Sequence, residues 1–137
     1  MAKEQLKAYQ TAQLKNMTPR EVEAMAFTKA ANMMDDAKRN PGDFAVLSQA
    51  VRFNHLFWTI LQADITDPAN KLPGEIKANI MSLSLFVDRQ TTQALRSRDT
   101  DDLDILITIN RNLAMGLREN PAAPVPDSTA TPSATTA

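Results

Sequence analysis

The chain has 137 residues, 43% hydrophobic and 23% charged, with 3 Gly, 8 Pro, 1 His and no Cys, which fits one soluble globular domain, at most with a tail. Without cysteine there is no disulfide framework, zinc–cysteine site, iron–sulfur cluster or thiol catalysis; one histidine excludes sites needing two imidazoles, and three scattered glycines exclude a phosphate-cradling loop. A net charge of −1 argues against affinity built on neutralising phosphates, and no apolar run reaches the roughly 18 residues of a membrane span.

Residues 1–10 carry lysines but no apolar core of a signal peptide, so the cytoplasm is the expected compartment. Leu6, Tyr9 and Leu14 predict a weak helix over 3–15. Thr18-Pro19-Arg20-Glu21 is a capping box with proline at the first helical position. Val22, Met25, Ala26, Met33 and Ala37 follow at helical spacing, and Asn40-Pro41-Gly42 is a stop signal. Asp43 caps a second helix with the seam Leu47, Val51, Asn54, Trp58, Leu61, Ile65. Phe53, Phe57 and Ile60 form an adjacent stripe, and residues 66–70 break the pattern.

Leu72-Pro73-Gly74-Glu75 opens a third helix. Ile76, Ile80, Leu83, Val87 and Leu95, widened by Met81, Leu85 and Phe86, predict a central helix packed on several sides. Thr100 is the expected cap of a fourth helix, with Asp101, Asp102 and Asp104 in its first turn. Residues 103–109 read as strand in isolation, but the helical spacing runs on to Leu117 and nothing else offers a strand to pair with it. From Pro121 the chain is mostly Ala, Pro, Thr and Ser with one charge, and disorder is expected over 121–137. The expected fold is all-α: a bundle of four main helices and a short N-terminal one, over 1–120.

The residues for chemistry are sparse. His55 has no carboxylate within a helical turn to orient it and reads as a surface or boundary histidine. Asp99 to Asp104 resembles a calcium loop, but Asp104 stands where glycine is needed and Asn110 where glutamate is, so helix capping is the better reading. Arg89, Arg96 and Arg98 gather near a helix C-terminus, where cations offset the dipole. As a small RNA contact the cluster lacks the interleaved aromatics used for stacking. No nucleophile motif and no converging pair of carboxylates is evident, so no enzyme, cofactor or metal is expected. Phe44, Phe53, Phe57 and Trp58 all fall on the second helix. Two stripes about 100° apart on one helix are either both core, or more than a small domain can cover, which leaves a groove for an amphipathic helix. Asn54, within the seam, then needs a hydrogen-bond partner.

Tyr9, Pro19-Arg20-Glu21 with Glu23, Phe27, Asn54 with Trp58, Leu72-Pro73, the run Ile80 to Ser84, Asn110-Arg111 and Met115-Gly116-Leu117 together resemble the flagellar biosynthesis regulator FlaF family. Phe86 stands where some relatives have tryptophan, which keeps an apolar ring. The resemblance implies a protein that supports flagellin production and filament assembly. It implies two partners, flagellin, bound as a secretion chaperone would bind it, and the FlbT-type regulator that restrains flagellin translation. The partner-binding residues expected are Asn54, Phe57 and Trp58, bordered by Leu72 and Pro73. The alternative is a regulator that binds RNA directly through Arg89, Arg96 and Arg98; a structural subunit of the filament is a third. Membrane binding and direct nucleic-acid binding are not expected.

Overall fold

A computed structural model describes residues 17–119. The helix expected over 3–15 and the disorder expected over 121–137 lie outside these residues. The described residues form four α-helices and one 3₁₀ turn, with no strand, and none of the helices is long and apolar enough to cross a membrane.

Helix α1 (Pro19–Lys38) starts at the expected capping box: the Glu21 amide donates to Thr18 Oγ1 at 3.1 Å and the Thr18 amide donates to Glu21 Oε1 at 2.9 Å. Such a cap contributes about 1 kcal/mol. The buried face of α1 is Ala24, Phe27, Ala30, Ala31, Met34 and Ala37. Its alanines let neighbouring helices come close. The turn to α2 needs a positive φ at Gly42 (+93°), which an L side chain rarely adopts. Asp43 then caps α2 (Phe44–Thr66) by accepting from the Val46 amide at 3.2 Å.

Helix α3 (Gly74–Ser97) follows Pro73 with no side-chain cap and ends at Arg98 in the left-handed region (φ 59°). The Arg98 guanidinium lies 4.0 Å from the centre of the Phe44 ring, a cation–π contact that fastens this strained corner to the start of α2. The cap that follows is not Thr100. Asp99 accepts from the Asp101 amide at 2.9 Å and starts a 3₁₀ turn, Thr100–Leu103, because a carboxylate two residues before an amide closes a tight local ring. Helix α4 (Asp104–Glu119) continues from it, so residues 104–109 are helical as expected.

The side-chain contacts fix the packing. Phe27 meets Phe57 and Trp58, and Lys29 meets Phe53, so α1 and α2 are antiparallel. Arg118 bonds Thr28, Arg111 bonds Asn32 and Lys38 pairs with Asp104, so α4 runs antiparallel on the other flank of α1. His55 meets Asp88 and Gln62 meets Ser84, which sets α3 antiparallel against α2. The inner helices are therefore α1, packed on α2 and α4, and α2, packed on α1 and α3, and not α3 as the apolar width predicts. Helix α3 buries only Ser84, Val87, Thr91 and Ala94. Its larger residues Ile76, Ile80, Leu83 and Phe86 are half-buried at most, because a helix with one principal neighbour cannot cover a wide apolar face.

Glu23 lies in the α1–α2 seam. Burial raises its pKa, Arg20 lowers it and Asp64 raises it, with a net upward shift. A carboxyl raised in this way holds its proton more readily folded than unfolded, so stability falls as pH rises from the ordinary carboxylate range through the raised value. Glu23→Gln is expected to match the wild type in urea unfolding at acid pH and to exceed it at neutral pH. Equal stability at both would show that burial does not penalise this charge.

Candidate functional site

Helix α2 carries apolar residues around most of its circumference, and the fold divides them. Asn54 and Trp58 are 0% and 1% exposed. The indole N–H of Trp58 donates to Asn110 Oδ1 at 3.2 Å, and Asn110 Nδ2 donates to Asn54 Oδ1 at 2.7 Å and towards the Phe27 carbonyl at 3.5 Å. The indole can only donate, so it fixes which way the Asn110 amide faces. That amide in turn requires the oxygen of Asn54 opposite its N–H. Asn54 Nδ2 is then turned away from both and has no partner. The partner expected for Asn54 thus lies across the core on α4, beyond reach of any sequence spacing.

These positions correct the expected groove. Asn54 and Trp58 are core residues, and a partner resting on this surface cannot touch them. Phe57 is half-buried, edge-on to Phe27 with centroids 4.7 Å apart at 79°. Such a pair adds about 1 kcal/mol beyond the area it buries. Leu72 and Pro73 are half-buried in the α2–α3 connection, beyond the last turn of α2. The structure brings Asn54, Phe57 and Trp58 together, but as wall and core of the bundle, with Leu72 and Pro73 at one end. Phe53, also half-buried, lies under the ammonium of Lys29 at 5.2 Å.

The large apolar side chains that face water are others. Leu56 is 59% exposed, Ile60 56% and Leu85 47%, with Ile105 and Met115 on α4. Leu56 and Leu85 sit beside the α2–α3 contact. Sequence reading counted Ile60 and Leu85 within wider stripes and passed over Leu56. The available signal was the spacing: Leu56 lies three residues after Phe53 and four before Ile60, at the edge of the second stripe.

His55 is oriented by a carboxylate after all, one supplied by α3. Its Nε2 lies 3.0 Å from Asp88 Oδ1, and Gln62 donates to Asp88 Oδ2 at 3.1 Å and to Ser84. The pair is 33 residues apart in sequence, so no local spacing reveals it. The three arginines of the sequence cluster separate: Arg98 lies on Phe44, while Arg89 and Arg96 are exposed on α3. Among the described residues, the acids of 99–104 serve the 3₁₀ turn, Ser97 and Lys38, and no group of three His, Cys, Asp or Glu is placed to hold a metal. A shallow cleft of about 440 Å³ between α1 and α4 is lined by Thr28, Arg111, Ala114, Met115, Arg118 and Glu119. Its arginines already bond Thr28 and Asn32.

Searches of curated proteins and of solved structures return no match. A comparison with protein families does: residues 5–117 match flagellar protein FlaF. The match spans all four helices and most of the chain, including the buried Trp58, Asn54 and Asn110 that tie α2 to α4. The chain belongs to the FlaF family of flagellar proteins, and its role lies in flagellar biogenesis.

Proposed function

We propose that this protein binds flagellin in the cytoplasm as a chaperone-like factor and works with an FlbT-type translation regulator, without catalysis. The observation that carries the reading is the exposure of Leu56 (59%) and Ile60 (56%) one turn apart on α2, a helix whose core contacts are already filled by Leu47, Val51 and Trp58. Two large apolar side chains at i and i+4 are the anchors with which a helical surface takes a partner helix. Holding an amphipathic flagellin segment there keeps it from polymerising. Release needs no nucleotide, because a lower affinity for flagellin committed to export shifts the equilibrium by itself.

The reading is tested by titrating purified flagellin monomers with the protein and following polymerisation by light scattering. Stoichiometric suppression of polymer growth is expected. Undiminished growth, with no complex on a sizing column, would contradict it.

A further inference from the structure

The outer face of the α2–α3 pair combines apolar and cationic groups in one place. Leu56 follows His55 and Leu85 follows Ser84, the residues through which the two helices touch. One step back from the contact of His55 with Asp88, Asn54 and Val87 face the core. In antiparallel helices one step onward from a contact turns both chains to the same side. Leu56 and Leu85 therefore share the face that points away from the core. Arg52, three residues before His55, and Arg89, directly after Asp88, fall on that side too. Arg96, two turns beyond Arg89, extends it.

The three arginines are exposed. Arg52 bonds only Ser48 among the described residues, at 2.8 Å. No described acid lies within salt-bridge distance of any of the three. Asp88, next to Arg89 in the chain, is engaged by His55 and Gln62, and Asp102, near Arg96, by Ser97. The face thus offers an apolar centre and an uncompensated positive rim, although the whole chain carries a net charge of −1.

We infer that this face, with Leu56 and Leu85 at its centre and Arg52, Arg89 and Arg96 at its rim, docks an amphipathic partner helix that carries carboxylates beside its apolar stripe. The inference deepens the flagellin reading by naming the chemistry of the segment bound. Leucines take up the apolar stripe, and the arginines select for carboxylates and speed the encounter. A nucleic acid suits the face less well. None of the described aromatic side chains is exposed, so bases have no ring to stack on, and two leucines would be left wet.

The test uses the full chain and two synthetic helical peptides with the same leucine stripe, one bearing glutamates and the other lysines. Backbone NMR shifts around Leu56, Leu85 and Arg89 are expected with the glutamate peptide, which binds at least tenfold more tightly than the lysine peptide. Arg52→Glu with Arg89→Glu is expected to invert that preference. Leu56→Gln is expected to weaken the glutamate peptide about tenfold, the cost of one lost leucine anchor, with an unchanged urea midpoint because the side chain is exposed. Equal binding of both peptides, shifts centred elsewhere, or a preference that survives charge reversal overturns the inference. So does an oligoribonucleotide that shifts the same amides equally in the wild type and Leu56→Gln. Flagellin that binds but shifts other residues overturns this inference and leaves the flagellin reading standing. A glutamate peptide that behaves as predicted while flagellin does not bind overturns the flagellin reading alone.

Discussion

Asn110→Ala is expected to cost about 3–5 kcal/mol of stability, while Asn54→Leu costs no more than about 1 kcal/mol. The two asparagines are equally buried and bonded to each other, so the difference rests on what each leaves behind. Asn110 is the hub. Its removal strands the indole N–H of Trp58 and the side-chain oxygen of Asn54 in a dry core and opens a cavity besides. Each stranded group costs about 1–3 kcal/mol. Asn54 sits at the end of the chain of bonds and already carries an amide nitrogen without a partner. Replacing it by an apolar residue of similar size takes the acceptor from one Asn110 N–H but removes the unsatisfied Asn54 donor, so the number of stranded groups does not change. Urea unfolding of the two variants reads the difference directly. If Asn54→Leu proves as costly as Asn110→Ala, the network is not organised around Asn110.

The second large effect separates two neighbouring aromatics. Trp58→Ala is expected to cost about 4–5 kcal/mol, and Phe57→Ala about half of that. Trp58 is 1% exposed and holds a buried hydrogen bond. Phe57 keeps one side in water and loses chiefly its edge contact with Phe27. Against the 5–15 kcal/mol of a typical domain, Trp58→Ala stands near the limit of folding. Any loss of partner binding in that variant follows from unfolding, and the intermediate Phe57→Ala is the more informative of the two. Equal costs would mean that Phe57 is as deeply packed as Trp58.

Much of the fold was legible because its punctuation is local. The capping box at Thr18, the Pro41-Gly42 stop and the Asp43 cap each act within four residues, within reach of sequence spacing. Four helices and their order follow from them. Local signals misplaced only the cap before α4, where Asp99 outcompetes Thr100 with a shorter ring. What the sequence could not reveal is which helices have two neighbours. The broad apolar face of α3 looks central, yet the alanines of α1 allow the close double packing. The candidate site suffered from the same blindness. The seam through Asn54 and Trp58 was read correctly as a stripe, but whether a stripe is wall or core depends on α4, more than 50 residues away. The acid that orients His55 was hidden for the same reason. The family resemblance needed neither, because it rests on the order of residues along the chain, and the match over 5–117 bears it out.

On the proposed function, the exposed leucine and isoleucine of α2, and not its buried asparagine and tryptophan, meet the partner. Isothermal titration of purified flagellin into the wild type and into Leu56→Gln with Ile60→Gln tests it most directly. Both substituted side chains are more than half exposed, so the variant should unfold at the wild-type urea concentration. A loss of affinity of at least tenfold is expected, since each buried apolar anchor contributes about 1.5–3 kcal/mol. A folded double variant that binds flagellin as tightly as the wild type would contradict it.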